Sequence, residues 1–552
     1  MMSYKFTMHQ LFVNRLSRYL KYLFSGLPIL IIVLFSFSYF SLCFAEPAKK
    51  STASEKWVGT WSTAPQLVET NNNPPQPGLS NNTLRQIVHV SIGGDSLRMR
   101  FSNEFSASPV TMKEVHIAVS KGGSVIDTAT DKVLYFNGNL AVTMDPRTAV
   151  MSDPFQFSLE PLSDVTITIY FGSTSPSVTG HPGSRTTSYI LTGNEVLKEN
   201  FSGAVTTDHW YVINTIDVKA TDSTHAVAIL GNSITDGRGS GTNKQDRWPD
   251  ELALRLQENP ATQHVAVLNE GIGGNAVLSG GLGPTALNRF QRDVIDQNGV
   301  KWLIILEGIN DIGGSFGTGI AQNLINAYGQ MIDIAHSNGI FVYGATLLPF
   351  GGSSYYSTNH ETSRETVNEW IRNSGSFDAV IDLDKALRDP ADTLRYLTEA
   401  DDGDHLHPSE TGHRLMAEAV DLNLFVGNDS LNYIDSSKTG VLNSNEAPNG
   451  FVLGQNYPNP FNPTTRISFS LPKESFVTIK VYDVLGKQIA TLVNEEKPAG
   501  NYEIIFSAKG GSSSSGNAYS LSSGIYYYKL TAALNEGQTE NFSEVKKMIL
   551  MK

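Results

Sequence analysis

From His225 to about Leu424 the chain alternates short apolar runs with segments whose apolar residues recur at intervals of three and four, five times over. The runs are Ala226–Leu230, His264–Leu268, Trp302–Leu306, Phe341–Ala345 and Ala379–Asp382. The segments between and after them are Pro249–Gln257, Leu287–Gln297, Ile320–His336, Glu361–Arg372 and Gly412–Leu424. Strands this apolar must be covered on both sides, and amphipathic helices following each strand supply the cover. The pattern therefore predicts an α/β fold: a parallel sheet with helices on both faces. Because parallel strands run in one direction, the carboxyl ends of all of them lie at one edge, so the loops that follow the strands gather there and carry the chemistry.

On either side of this region the pattern has period two. Arg85–Ile92, Leu97–Phe101 and Val165–Phe171 alternate polar and apolar residues, with turn residues such as Gly93-Gly94-Asp95 between runs. Residues 57–221 are thus expected to form an antiparallel, jelly-roll-like β-sandwich. His89, His116, His181 and His209 are scattered through it and are read as structural or surface groups. Phe476–Tyr482 and Ile525–Leu530 alternate again, separated by the Gly/Ser-rich insert 510–520, so residues 451–552 are expected to be a small second sandwich. The α/β domain then spans 222–427, and residues 46–56 and 428–450, polar and without periodicity, are linkers.

Residues 1–45 have the form of an export signal. Lys5, Arg15, Arg18 and Lys21 precede the apolar run Leu27–Phe44, and Cys43-Phe44-Ala45 places small residues at −3 and −1. A retained membrane anchor is the rival reading; cleavage leaves no membrane span. Cys43 is the only cysteine, so the exported chain relies on core packing rather than disulfides, and thiol catalysis is excluded. A net charge of −13 speaks against nucleic acid or an anionic membrane as partner.

Four loops at strand ends carry reactive groups. Gly231-Asn232-Ser233-Ile234-Thr235-Asp236-Gly237 follows the first strand, where the serine alone could equally be a helix cap. Asn269-Glu270-Gly271-Ile272-Gly273-Gly274-Asn275 follows the second, and lacks the GxGxxG spacing of a dinucleotide site. Gly308-Ile309-Asn310-Asp311 follows the third, and Asp401–Pro408 precedes the last helix. Acyl transfer requires a nucleophile, a base, a group that orients the base, and donors for an oxyanion. Ser233, His407, Asp404, and the Gly274 N–H with the Asn310 amide supply these four. Asp401, Asp402, Asp404, His405, His407 and His413 could instead hold a divalent ion, but Pro408-Ser409-Glu410 reads as an ordinary helix start; no metal or cofactor is expected.

The blocks GNSITDG, NEGIGGN, GIND and DGDHLHPS, in this order, resemble those of the SGNH/GDSL hydrolase superfamily. The resemblance implies a flavodoxin-like, SGNH-type sheet and a serine ester hydrolase. Ser233 would be the nucleophile, with Asp404 and His407 completing the catalytic set in DxxH spacing. Ser233 N–H, Gly274 N–H and Asn310 would form the oxyanion hole. Trp57–Pro65, Arg85-Gln86, Ser102–Phe105 and Asp246–Asp250 are similar to a secreted, xylanase-E-like esterase subgroup in which a β-domain precedes the hydrolase. That likeness implies deacylation of acetylated or short-acyl plant polysaccharides such as acetylated xylan. A general short-chain or aryl esterase or lipase is the nearest alternative, and a surface carbohydrate-binding protein with a decayed hydrolase core is the alternative of another class. The family has Asp where this chain has Asn232, a position read as supporting the turn. Phe451-Val452-Leu453, Asn456–Pro463 and Leu521–Tyr526 resemble the C-terminal sorting domain of type IX secretion. This implies the type IX machinery as partner through residues 451–552, and a secreted or cell-surface location in a Bacteroidetes-type cell.

Overall fold

Alternating side chains decide the architecture of the first part of the chain. Leu97, Met99 and Phe101 are buried on one sheet and Val165, Ile167, Ile169 and Phe171 on another, and all meet in one apolar cluster. In the computed structural model, which describes residues 54–315, 319–426, 451–454, 456, 461, 464–508, 521–533 and 542–550, these are antiparallel sheets of five and seven strands. The first contains Glu55–Ser62, Ile213–Thr221 and Gly94–Ser102; the second contains Asn82–His89, Asp164–Phe171 and Val110–Val119. A small third sheet joins Trp210–Tyr211, Thr179–His181 and Gln66–Leu67. The strand Glu55–Ser62 begins inside the stretch read as linker, because Glu55 and Lys56 still pair with Thr221 and Ala220. The export signal, most of the first linker, the second linker, the insert 510–520 and most of the NPFNP block lie outside the described residues.

The central sheet is fully parallel: β1 (His225–Gly231), β2 (Val265–Gly271), β3 (Val300–Leu306), β4 (Phe341–Ala345) and β5 (Ala379–Ile381), in the spatial order β2-β1-β3-β4-β5. This is the flavodoxin-like order, and the chain reverses direction of travel at β1, whose carboxyl end is where such folds place their ligand. Gly231 stands level with Gly271 and Leu306, so the first three loops emerge side by side. The helices are α1 (Ser233–Asp236), α2 (Trp248–Glu258), α3 (Ala286–Phe290), α4 (Ile309–Gly313), α5 (Ile320–Ser337), α6 (Thr358–Asn373), α7 (Leu383–Leu387) and α8 (Glu410–Glu418).

Two helices differ from expectation. The segment 287–297 is α3 followed by a π turn, Gln291–Ile295, in which Asp296 N–H reaches back to Gln291 O. The widened turn accommodates a buried ion pair, Arg289 with Asp293, that the apolar spacing does not register. The last helix runs Glu410–Glu418, with Ser409 capping Gly412 N–H, and Asp421 then starts a separate 3-10 turn, Leu422–Phe425.

The sandwich and the parallel sheet are not separate bodies. Ala226, Ala266 and Leu268 of β1 and β2 belong to the sandwich's apolar cluster, with Val58. Burial of each such Val or Leu side chain contributes about 1.5–3 kcal/mol. Polar links stitch the same seam: Gly59 N–H to Asn298 O (2.9 Å), Val267 N–H to Ser91 Oγ (3.0 Å), and Ser62 Oγ to Glu270 Oε1 (2.5 Å). Residues from 451 onward form sheets of three and four antiparallel strands around their own cluster, which includes Ile467, Phe469, Val477, Ile479 and Tyr528. Among the described residues no helix is long and apolar enough to cross a membrane.

Candidate active site

β1 ends at Gly231, and Asn232, in extended conformation, accepts Ile234 N–H through Oδ1 at 3.1 Å. Asn232 is therefore the cap of α1. Ser233, relieved of that role, places its Oγ 2.8 Å from His407 Nε2. On the far side of the ring, His407 Nδ1 is 2.7 Å from Asp404 Oδ2. The other carboxylate oxygen of Asp404 accepts the backbone N–H groups of Leu406 (3.0 Å) and His407 (2.9 Å), so the main chain fixes the carboxylate before the carboxylate fixes the imidazole. Asp404, His407 and Ser233 thus form one continuous line of hydrogen bonds.

Burial lowers the His407 pKa below its usual 6.5, with Asp404 pulling the other way, so the imidazole is a free base at neutral pH. Burial pushes Asp404 up, but hydrogen bonds from the His407 ring and from the N–H groups of His407 and Leu406 outweigh it and leave this carboxyl below its ordinary value. A general base works only when unprotonated, so with His407 in that role activity would be retained above its pKa and lost as pH falls through it. The acid limb of kcat/KM for p-nitrophenyl acetate is expected to have its midpoint below pH 6.5. A midpoint above that value in a pH–rate profile contradicts the assignment.

Three other members of the acid and histidine cluster, Asp401, His405 and His413, have partners of their own. His405 Nδ1 lies 2.5 Å from Asp401 Oδ2, and His413, whose pKa burial lowers to about 4, joins Trp248 N–H to Arg238 O. Among the described residues no group of His, Asp or Glu is arranged to hold a metal ion.

Gly274 lies in the loop after β2 with φ of +71°, a conformation that strains any other residue, and this loop is where its N–H would serve as a donor. Asn310 is the second residue of α4. Its Nδ2 donates to Asn275 O at 2.7 Å, and its Oδ1 accepts from Tyr355 OH at 2.9 Å. The two partners fix the amide's orientation and leave one N–H of Nδ2 uncommitted. Asp311, next in sequence, accepts the N–H groups of Val277 (2.8 Å) and Leu278 (2.9 Å) and so clamps the chain just beyond the glycine loop to α4.

Beneath these loops lies a buried network. Arg289 donates to Gly231 O (2.9 Å), Glu270 O (2.6 Å) and Asn275 Oδ1 (3.0 Å), tying the ends of β1 and β2 together. It also meets Glu307, 3.3 Å away. Burial pushes the Glu307 carboxyl up to about 8, against the pull of Arg289 and with help from Asp311. Asn232 Nδ2 faces the same carboxyl at 3.4 Å. An aspartate at 232 would set a second carboxyl against Glu307, whereas asparagine both caps α1 and offers a donor. Glu307, Arg289 and Tyr355 were not singled out from sequence. The carboxylate ending an apolar strand and the Arg289/Asp293 spacing were the available signals; for Tyr355 there was none.

Gly274, Asn310 and Tyr355 also open on a cleft of about 770 Å3, whose far wall is the exposed face of α5 with Asn323, Asn326 and Gln330. Among the described residues no cationic side chain lines it.

Residues 229–415 match the GDSL-like Lipase/Acylhydrolase family, and residues 455–550 match the Secretion system C-terminal sorting domain. Solved structures to which the chain is similar include a lipolytic protein of the G-D-S-L family from Desulfitobacterium hafniense DCB-2. That pair shares 22% identity over 36% of this chain and 97% of that chain, with a TM-score of 0.29. Another is a family two carbohydrate esterase from Cellvibrio japonicus (10% identity, 68% of this chain and 98% of that chain, TM-score 0.28). A third is the acetyl xylan esterase AlAXEase (19% identity, 35% and 96%, TM-score 0.27). Among curated protein sequences there is no match to the chain.

Proposed function

With residues 229–415 forming a GDSL-like acylhydrolase domain, and the chain accordingly a carboxylic ester hydrolase, we propose that it deacylates neutral polysaccharides outside the cell through Ser233, His407 and Asp404. The observation that carries the mechanism is the line of hydrogen bonds Asp404–His407–Ser233. Ser233 Oγ attacks the ester carbonyl as His407 Nε2 takes its proton; the Asp404 carboxylate steadies the imidazolium that forms. Negative charge gathers on the former carbonyl oxygen, which the N–H groups of Ser233 and Gly274 and the Asn310 amide receive. His407 then returns the proton to the departing alkoxide, leaving an acyl-serine and a free hydroxyl group. Water, deprotonated by the same imidazole, releases the acid by the reverse sequence. The reaction needs no cofactor.

The cleft supports a sugar as the alcohol half. Asn323, Asn326 and Gln330 offer amide donors and acceptors, Leu278, Ile320 and the Tyr355 ring offer apolar surface, and Asp311 adds a carboxyl, a mix that suits the hydroxyls and apolar faces of a sugar better than an anion. The sorting domain marks a secreted or cell-surface protein. In this reading residues 1–45 serve as the export signal and residues 451–552 deliver the chain through the type IX machinery to the outside, where a polymeric substrate is accessible. Acetate release is expected to be faster from acetylated xylan than from acetylated pectin fragments, and triglycerides should be poor substrates. Faster hydrolysis of triglycerides would set the polysaccharide reading aside while leaving the esterase intact.

A further inference from the structure

We propose that His181, a residue of the N-terminal sandwich, positions the oxyanion loop of the hydrolase through Asp236; this rests on the reading of the Gly274 N–H and the Asn310 amide together as the oxyanion hole. His181 ends the strand Thr179–His181 and is buried, its ring tilted against Trp210 at 5.9 Å. Its Nδ1 lies 3.0 Å from Ala64 O, and since a carbonyl only accepts, that nitrogen carries hydrogen. Its Nε2 lies 2.7 Å from Asp236 Oδ1. The second oxygen of Asp236 accepts the Gly273 N–H at 2.8 Å, one residue before Gly274.

Asp236 is the last residue of α1, the single helical turn that Ser233 begins. One rigid turn therefore carries the nucleophile at one end and, at the other, the carboxylate that holds the neighbour of an oxyanion donor. The loop needs such a hold. Gly271, Gly273 and Gly274 give it little stiffness of its own, and glycine loses more freedom on ordering than any other residue. The carboxylate is also closely walled. A Cβ at Gly183, two residues beyond His181, would overlap it, and one at Gly273 would come within 3.2 Å. The Gly183 backbone of the sandwich and the Gly273 backbone of the oxyanion loop thus both lie close against the Asp236 carboxylate. His181 holds the carboxylate in the orientation that Gly273 requires.

The test uses the full chain, with kcat and KM for p-nitrophenyl acetate and the affinity of phenylboronic acid, which becomes tetrahedral on the nucleophile. His181→Phe keeps a ring against Trp210 but has no donor. Asp236→Ala removes the acceptor. Both are expected to lower kcat by about tenfold or more with KM changed less than about twofold, and to weaken the boronate in step with kcat. In Asp236→Asn the amide oxygen can still accept from Gly273 and the amide nitrogen can still face His181 Nε2, so most of the kcat lost in Asp236→Ala should return. Asn310→Ala serves as the reference for the oxyanion reading itself. If that variant keeps its kcat, the underlying reading fails. If it loses kcat while His181→Phe and Asp236→Ala do not, or if those two change only KM, the positioning role alone is overturned. Should His181→Phe fail to fold, the Asp236→Ala and Asp236→Asn pair decides; no recovery in the asparagine variant also overturns it.

Discussion

Replacing Ser233 by alanine is expected to lower kcat for p-nitrophenyl acetate by about 10⁶-fold, the scale seen when a serine nucleophile is removed from a site of this kind. The substitution deletes a single oxygen. Asn232, not Ser233, caps α1, so the turn keeps its hydrogen bond to Ile234 N–H. The backbone N–H at 233 also remains in place for the oxyanion. The only side-chain partner removed is the 2.8 Å contact to His407 Nε2, and His407 keeps its bond to Asp404. The loss should therefore appear in kcat with native circular dichroism and an unchanged melting temperature within a degree or so. A fluorophosphonate probe should label the parent chain and not the variant. Turnover by Ser233→Ala at a tenth of the parent rate, or labelling at another residue, would remove Ser233 from the reaction.

Asn310→Ala should cost less, about 10²–10³-fold in kcat, or roughly 2.7–4 kcal/mol of transition-state stabilisation. The side chain's value lies in being already aimed. Asn275 O takes one N–H and Tyr355 OH holds the amide oxygen, so the remaining N–H needs no reorganisation when charge develops. Because the ester's ground-state carbonyl accepts this donor weakly, KM should move far less than kcat. Tyr355→Phe offers a graded companion, since it frees the amide to rotate without deleting it. An Asn310→Ala variant that raised KM with unchanged kcat would place this side chain in substrate binding rather than in the oxyanion hole.

The order of strands and the position of four loops were legible because each is written locally. The apolar run Phe341–Ala345 coincides with β4 to the residue, and Ala226–Leu230 matches β1 within one residue at each end. β2 runs three residues past its expected end, through Asn269-Glu270-Gly271, because pairing with β1 overrides the poor strand propensity of those residues. That the loops after these strands share one edge followed from the alternation of strand and helix; the register that sets Gly231 level with Gly271 and Leu306 did not. What escaped the sequence are contacts between distant residues: Arg289 with Glu307, Tyr355 with Asn310, His181 with Asp236. His181 looked like one of several scattered sandwich histidines because nothing near it in the chain hints at a carboxylate fifty-five positions later. Period and propensity describe neighbours along the chain; these pairs exist only after the sheet has set its loops side by side.

Val58 from the sandwich and Ala226, Ala266 and Leu268 from the sheet share one apolar cluster, and this ties the history of the two halves together. A sandwich exchanged by recombination for an unrelated one would leave β1 and β2 with a face nothing fits and Asp236 without His181. Substitutions accepted on one side of the seam therefore decide which are tolerated on the other, and the halves drift as a pair. The sorting tail, by contrast, packs its described residues around a cluster of its own, so the same coupling does not reach it through that core.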